Sequence, residues 1–376
     1  MPTRRYFPAT FCASLILLAP LSGPGSPRVP KTRPRYTVTD LGTLPGGHFS
    51  RPSGINNRGQ IVGESQFHAF VWERGVMTDL GTLGGRHSFA RAINIQGQIV
   101  GASETSKQIL GGSGVTRLYH SFLWQHGKMM SLNPLSVADI NDKGQIVGAS
   151  FVAEEPKPVH SVAQVIDTTG KRSRAFLRTA EGDKEIDLLE GTTDGTAIAV
   201  NNSGQVIGTC RAVGTGNARG FLWQSGKMTA LGALPGGENG GSAARGINDK
   251  GQVVGGSWNA QGQGNHAFLW NRGKMIDLGT LGGTFSVAHA INDAGQVVGL
   301  AYTRKGQPGS TWPGHAFLWQ NGKMTDLNQL ISIKSGWELQ YASDINNRGQ
   351  IVGTGKRGGE ERAFLLTPLP ARVDGR

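Results

Sequence analysis

The chain has 376 residues, of which 58 are Gly and 7% are aromatic, and its formal net charge is +12. This composition argues against long helices and against disorder, and it favours many short strands joined by tight turns. The basic charge would attract polyanions, but Lys and Arg are scattered through turns, which is more typical of a solubilising surface than of a nucleic-acid-binding tract.

The first 26 residues have the composition of an export signal peptide. Arg4 and Arg5 precede an apolar run from Phe11 to Leu21, and small and turn-forming residues follow that run. The run is too short to anchor the chain in a bilayer, and the sequence around the two Arg also resembles a twin-arginine signal. A Pro-rich linker occupies residues 27–35. We therefore expect a secreted or periplasmic protein without stable membrane insertion once the signal is removed.

Residues 36–367 contain seven similar units, and a short tail of residues 368–376 follows them. Each unit has a first phrase such as Ile-Asn-Asn-Arg-Gly-Gln-Ile-Val-Gly and a second such as His-Ala-Phe-Val-Trp, and most units add a third, Met-Thr-Asp-Leu-Gly. The copies start roughly 40 to 60 residues apart, which brackets the length of a propeller blade. We therefore predict one repeat-built domain instead of two or three separate ones.

One Asn and one Gly of the first phrase are unchanged in all seven units. We place both in a turn between two strands, where a position that accepts only Gly usually has a positive φ. The Asn side chain can bond the turn backbone two residues further on. These scaffold residues are Asn56, Gly59, Asn94, Gly97, Asn141, Gly144, Asn201, Gly204, Asn248, Gly251, Asn292, Gly295, Asn346 and Gly349.

Each unit predicts four short strands, called a to d here in chain order. Strand c, the second phrase, is apolar on both sides, as expected of a strand covered on both faces. The third phrase also occurs from Tyr36 to Leu41, before any other phrase, whereas none follows the last second phrase at Arg362. We therefore predict an all-β, seven-bladed β-propeller of four-stranded blades, closed by the N-terminal strand in the last blade. The alternative, an open β-solenoid, gives no reason to divide one unit between the chain ends.

The first and second phrases also resemble those of the HAF repeat family, a group of bacterial, extracellular repeat proteins. The resemblance covers residues 36–366 and is most specific where a His opens the second phrase, at His68, His266 and His315, with a slightly altered copy at His120. The third, fourth and seventh copies depart from it, because Arg replaces the His. The resemblance implies export and a repeat architecture, and it implies no particular activity.

The repeated His and Asp residues are interpreted as scaffold. Each His occurs once per unit and Arg, which is not an ordinary metal ligand, replaces it in three units, so we expect no metal site and no cofactor. The Asp residues of strand d are equally periodic, which does not suit a pair of catalytic carboxylates. We expect the His to hydrogen-bond to the Asp of strand d, in the pairs His68 with Asp79, His266 with Asp277, and His315 with Asp326.

The connections between strands b and c vary most in length, and the predicted topology places them on one rim of the ring. Variable loops on a rigid scaffold are a frequent location of binding sites. Three Trp residues outside strand c, Trp258, Trp312 and Trp337, are predicted on this rim. They are candidate ligand-binding residues, because exposed aromatic rings can stack on sugars or anchor a partner; alternatively, each covers the core beneath it.

The leading hypothesis is an exported, non-catalytic binding or scaffolding propeller, a monomer that recognises an anionic cell-envelope or extracellular polysaccharide through its variable rim. One alternative is a polysaccharide lyase or hydrolase that uses non-repeated rim residues. Another is a protein-interaction or adhesion module that binds an envelope or extracellular protein. We expect no nucleic-acid partner, because the compartment and the scattered charge both argue against one.

Overall fold

The computed structural model describes residues 35–111, 114–132, 135–153, 171–211, 217–237, 240–259, 264–303 and 314–370. Within them the regular structure is β-strand, apart from two single-turn 3-10 helices. The predicted signal peptide lies outside these residues. In the part of the chain that is described, no helix is long and apolar enough to cross a membrane.

The strands form seven antiparallel sheets of four strands each, as the repeat predicted. Blade 1 contains β2 (Ser50–Ile55), β3 (Ile61–Ser65), β4 (His68–Glu73) and β5 (Val76–Asp79), and blade 2 contains β6 (Gly84–Ile93), β7 (Ile99–Gly111), β8 (Gly114–Gln125) and β9 (Lys128–Ser131). Blade 3 contains β10 (Ser136–Ile140), β11 (Ile146–Ala153), β12 (Lys171–Thr179) and β13 (Gly182–Glu185), and blade 4 contains β14 (Asp194–Val200), β15 (Val206–Arg211), β16 (Ala218–Gln224) and β17 (Lys227–Ala230).

The remaining three blades repeat this arrangement. Blade 5 contains β18 (Ser242–Ile247), β19 (Val253–Trp258), β20 (Asn265–Asn271) and β21 (Lys274–Asp277), and blade 6 contains β22 (Ser286–Ile291), β23 (Val297–Tyr302), β24 (Gly314–Gln320) and β25 (Lys323–Asp326). The 3-10 helices Leu327–Gln329 and Ile333–Ser335 follow. Blade 7 contains β26 (Trp337–Ile345), β27 (Ile351–Arg357), β28 (Glu360–Pro368) and the N-terminal β1 (Tyr36–Asp40).

The N-terminal strand closes the ring, which confirms the prediction made from the displaced third phrase. Strand β1 pairs antiparallel with β28, from Tyr36 opposite Pro368 to Asp40 opposite Phe364. This pairing covers the backbone edge of β28, which would otherwise be open to another chain. The division of one repeat unit between the two chain ends is therefore a closure device, and the structure is a propeller and not a solenoid.

Strand c forms the core of each blade. Its Phe is fully buried in blades 1, 2, 4, 5, 6 and 7, at Phe70, Phe122, Phe221, Phe268, Phe317 and Phe364. The last Gly of the first phrase lies opposite this ring on strand b. At Gly208, a Cβ atom would lie 2.5 Å from Cζ of Phe221 and 2.2 Å from the carbonyl oxygen of Thr196. Gly is therefore required there because the ring and the neighbouring strand leave no room for a side chain.

The unchanged Asn of the first phrase joins neighbouring blades as well as capping its own turn. Oδ1 of Asn94 accepts from the backbone N–H of Gln96 at 3.1 Å, as predicted, and from that of Gln98 at 2.9 Å. Its Nδ2 donates to the carbonyl oxygen of Asn141 in the next blade at 3.1 Å. Equivalent bonds of 2.9–3.1 Å connect all seven blades, and the bond from Asn346 to Asn56 completes the circle.

The unchanged Gly of the same turn has a positive φ in every blade, between 70° and 87°, as the sequence predicted. The Gln that follows it reaches the corresponding Gly of the next blade, for example Gln98 Oε1 at 3.5 Å from the Cβ position of Gly144. We call the side of the ring that carries these turns the Asn face, and the opposite side, which carries the b–c and d–a connections, the loop face.

Candidate binding site in the central channel

The seven innermost strands line a central channel, and each carries a β-bulge at the same position. The pairing register shifts between the third and the first residue before the Ile or Val that opens the first phrase, so that the second residue before it has no partner on strand b in each blade. Bulges of this kind direct extra side chains away from the ladder and often occur beside functional sites. The seven bulge residues, which all line the channel, are Ser53, Arg91, Ala138, Ile198, Arg245, His289 and Ser343.

Two adjoining cavities lie along the channel. One, of about 190 Å³, is lined by the Asn and Asp side chains at the Asn face, including Asn56 and Asp142. The other, of about 240 Å³, lies at the level of the bulges. Both are lined by Ile55 and Asp139, so they are parts of one channel. At the level of the bulges the side chains that line the channel differ from blade to blade, so the wall no longer repeats sevenfold.

Asp139 and Asp344 occupy the position after the bulge, where the other five blades have Gly or Ala. Each carboxylate bridges two blades. Asp344 accepts from the backbone N–H of Ile345 at 2.8 Å and, across the closing seam, from that of Ile55 at 2.8 Å. Asp139 makes the equivalent bonds to Ile140 and to Val200 of blade 4.

Burial changes the titration of these two carboxyl groups. It raises the pKa of Asp344 to about 7 and that of Asp139 to about 6, although the backbone N–H bonds act in the opposite direction. Repulsion from Asp139 contributes further to the raised pKa of Asp344. Both groups therefore change charge near neutral pH, while their oxygen atoms remain occupied by backbone donors.

Three successive blades contribute to a basic and aromatic cluster, in which Arg245 and His289 line the same cavity and Tyr341 packs against His289. The rings of His289 and Tyr341 stack with their centroids 4.3 Å apart, and Nδ1 of His289 donates to the carbonyl oxygen of Ala342 at 3.1 Å. Burial, together with the charge of Arg245, lowers the pKa of His289 to about 3, and burial raises the pKa of Tyr341. At neutral pH the imidazole and the phenol are therefore uncharged, and Arg245 is the cation of this cluster.

Arg91 adds a second cation to the channel from blade 2. Its guanidinium lies 5.0 Å from the centroid of the Phe89 ring, and desolvation by the surrounding channel wall lowers its pKa without removing the charge of a group that titrates so high. Among the described residues, neither Arg91 nor Arg245 forms an ion pair with a carboxylate. Both side chains are exposed to the channel, so the cavity presents two guanidinium groups that a ligand can reach.

The predicted scaffold pairs are present and lie away from this channel, on strands c and d. Nδ1 of His68 lies 2.8 Å from Oδ2 of Asp79, and the corresponding distances are 2.9 Å for His266 with Asp277 and 2.6 Å for His315 with Asp326. Within the described residues, no group of three or more His, Cys, Asp or Glu is arranged to hold a metal ion.

The two candidate Trp residues that the structure describes are not brought together. Trp337, at the start of β26, packs against the core, with its ring 6.0 Å from that of Phe364, so it covers the core as the alternative interpretation proposed. Trp258 is 46% exposed at the end of β19, two blades away. Trp312 lies outside the described residues.

The channel residues were missed by sequence analysis because each is a single deviation inside a repeated strand. The signal that could have found them is the residue two places before the unchanged Asn, which is Gly or Ala in five units and Asp in two. The bulge position just before it ranges from Ser to Arg, which marks a surface that does not contribute to the core.

Comparison with known proteins gives no family. No family model matches the chain, and no curated protein matches it. The β-propeller domain of the Trilobed protease from Pyrococcus furiosus is similar in structure, with 10% identity, a TM-score of 0.47, and coverage of 87% of this chain and 100% of that domain.

Two further solved structures have comparable similarity. An acylaminoacyl peptidase from Pyrococcus horikoshii has 13% identity and a TM-score of 0.49 over 84% of this chain and 52% of the peptidase, so this chain spans about half of it. The gluconolactonase XC5397 from Xanthomonas campestris has 10% identity and a TM-score of 0.40, with 89% and 90% coverage. At these identities and TM-scores the similarity carries no conclusion about activity.

Proposed function

We propose that this protein is an exported bacterial binding propeller for an acidic polysaccharide, and that the acidic group of the ligand binds Arg91 and Arg245 in the central channel. Export is supported by the signal-like composition of the first 26 residues and by the resemblance to the HAF repeat family. The observation that carries the binding proposal is the pair of guanidinium groups, exposed to the channel and without an acidic partner in the described part of the chain.

The chemistry of the cavity favours an anion with hydroxyl groups. A guanidinium presents a planar fork of donors that matches a carboxylate or sulfate. Because Nδ1 of His289 donates to the backbone, its Nε2 is an acceptor for a hydroxyl group. Low-dielectric walls strengthen such contacts relative to the same groups on an open surface.

A polysaccharide lyase or hydrolase is the second candidate, and the raised pKa values of Asp139 and Asp344 are the observation that favours it. Groups with such values can exchange protons near neutral pH. Against catalysis, each carboxylate accepts two backbone N–H bonds that hold neighbouring blades together. We therefore assign them to the scaffold and keep the binding function as the conclusion.

The test compares two double variants with equal loss of charge. Arg91→Gln with Arg245→Gln removes the channel cations, whereas Lys143→Gln with Lys250→Gln removes exposed cations of the Asn face. Binding of polygalacturonate is measured by titration calorimetry at low and high salt, with dextran as the neutral comparison.

The channel variant is expected to lose at least about tenfold in affinity for polygalacturonate, since a hydrogen bond to a charged group contributes roughly 1.5–3 kcal/mol. The control variant should stay within about twofold of the parent protein. Equal losses in both variants would mean that general surface charge attracts the polymer, and the channel would then not be the site. Release of reducing ends or unsaturated products would support the enzyme.

A further inference from the structure

The turn between β3 and β4 has an unusual backbone for its sequence. Its two central residues, Gln66 and Phe67, have φ values of 49° and 68°, the positive values of a two-residue hairpin that normally requires Asn-Gly or a similar pair. Several described c–d turns also have a non-Gly residue at positive φ, such as Arg74, and in each of these turns the next residue is Gly. Phe67 takes the place of that Gly, at a backbone cost of about 1–2 kcal/mol.

Contacts from neighbouring segments hold this strained turn in place. The carbonyl oxygen of Phe67 accepts from the N–H of Ser88 at 2.8 Å, and the backbone N–H of His48 donates to Oε1 of Gln66 at 3.2 Å. The Phe67 ring meets the ring of Phe49 at 5.3 Å, edge to face. Even so, Phe67 remains 50% exposed, so burial of the ring does not account for the strain.

Further aromatic and planar polar groups surround this ring on the loop face. The ring of His87 lies 5.2 Å from that of Phe67, and its Nδ1 lies 3.2 Å from the hydroxyl of Tyr119, which is itself 47% exposed. On the other side, the guanidinium of Arg51 lies 5.0 Å from the Phe49 ring. We call Phe49, Phe67, His87 and Tyr119 the aromatic patch.

The size of the patch decides which class of ligand fits it. An aromatic side chain has roughly 150–250 Å² of surface, so the half-exposed Phe67 and Tyr119 together offer about 200 Å². A stable protein interface needs about 1,000 Å² or more. The patch is therefore too small to anchor a protein partner by itself, and it matches a single flat ring with polar groups around its edge.

We propose that the aromatic patch is a saccharide subsite in which the C–H face of a pyranose ring stacks on Phe67. Tyr119, His87 and the Arg51–Glu361 ion pair supply hydrogen-bonding groups around the edge of the sugar. The proposal rests on the proposed function for the class of ligand, a saccharide, and on an independent set of residues for the site.

The patch and the channel are close enough to share one oligosaccharide. His87 and Arg91 lie on the same strand, β6, and are four residues apart, which corresponds to roughly 13 Å along an extended backbone. The patch would bind an uncharged ring, while Arg91 binds an acidic group of the same chain. Binding at the patch should then be insensitive to salt, in contrast to binding in the channel.

The experiment uses an array of neutral and acidic glycans probed with the whole protein and four variants. Phe67→Asn removes the ring and keeps a residue that tolerates positive φ, and Phe67→Tyr retains an aromatic ring. Ile276→Ala changes an apolar residue of the outer strand with similar exposure, 48%. The fourth variant is the Arg91→Gln and Arg245→Gln pair.

We expect some glycans, including neutral ones, to bind the parent, Phe67→Tyr and Ile276→Ala. The same glycans should bind Phe67→Asn about tenfold more weakly, at both low and high salt. The thermal midpoint of Phe67→Asn should equal or exceed that of the parent, because backbone strain is relieved. If no glycan depends on Phe67, including the case in which none binds at all, the proposal is overturned. A midpoint several degrees lower would show that the ring is a structural cover, and would overturn it as well.

The two proposals fail separately in this experiment. Dependence on Phe67 without dependence on Arg91 and Arg245 would leave the patch standing and refute the channel as the acidic-group site. The opposite pattern would leave the channel standing and refute the patch.

Discussion

Asp344 gives the sharpest test of the channel electrostatics, because two physical effects on its carboxyl group act in opposite directions. Burial raises its pKa from 3.8 to about 7, while two backbone N–H bonds favour the ionised form. If burial dominates, the folded state holds the proton at pH values where the unfolded chain has released it. The contribution of Asp344 to the free energy of unfolding is then fully present below about pH 4 and is lost as the pH rises towards 7.

The size of the stability change follows from the shift in the pKa of Asp344. A change of about three pKa units corresponds to about 4 kcal/mol between the two ends of the range. This value is an upper bound, because Asp344 borders the channel and water there can solvate part of the charge. An Asp344→Asn variant cannot ionise, so its stability relative to the parent should improve by up to about 4 kcal/mol between pH 4 and pH 8.

The assay is urea unfolding of the parent and the variant from pH 4 to pH 8. The other titrating groups are common to both proteins, so their effects cancel in the difference except for that of Asp139, whose charge interacts with Asp344. Asp187→Asn, at an exposed position, is the control for the effect of an Asp-to-Asn change itself. A stability difference for Asp344→Asn that does not change with pH would show that the pKa of Asp344 is not raised in the folded state. If the variant instead becomes less stable relative to the parent as the pH rises, the backbone N–H bonds dominate over burial.

Two further predictions concern the ring itself. Removing residues 1–40 takes away β1 and leaves the edge of β28 unpaired, so the thermal midpoint should fall by many degrees relative to a chain that begins at Arg35; equal midpoints would remove the closure argument. Replacing Asn94 with Ala removes four hydrogen bonds at a buried site, so the free energy of unfolding should fall by about 4 kcal/mol. The control, Gln96→Ala at an exposed position of the same turn, should change the free energy of unfolding by less than about 0.5 kcal/mol. Similar losses in the two turn variants would contradict the role of the Asn in joining the blades.

The fold could be predicted from the sequence because its determinants are repeated. A turn Gly that needs a positive φ and an Asn that caps the turn recur in seven units, so chance similarity at any one position matters little. The displaced phrase at Tyr36 then fixes how the ring closes. What repetition could not reveal is the second bond of each Asn, such as that from Asn94 to Asn141, because this bond depends on the blade-to-blade distance.

The site was harder to predict because it consists of departures from the repeat. Arg91, Arg245 and His289 occupy a bulge whose existence depends on a register shift, and strand register cannot be read from one sequence. The same limit applied to the pairs of His and Asp, which were only an expectation until the hairpin geometry was known. Phe67 gave no signal at all, because a positive φ at an aromatic residue contradicts local preference.

We propose that the channel binds the acidic group of a saccharide at Arg91 and Arg245. A crystal structure of the protein with an oligogalacturonate tests it most directly. We expect a carboxylate within hydrogen-bonding distance of one or both guanidinium groups, at the level of the seven bulges. An empty channel with the oligosaccharide bound elsewhere on the ring would contradict it.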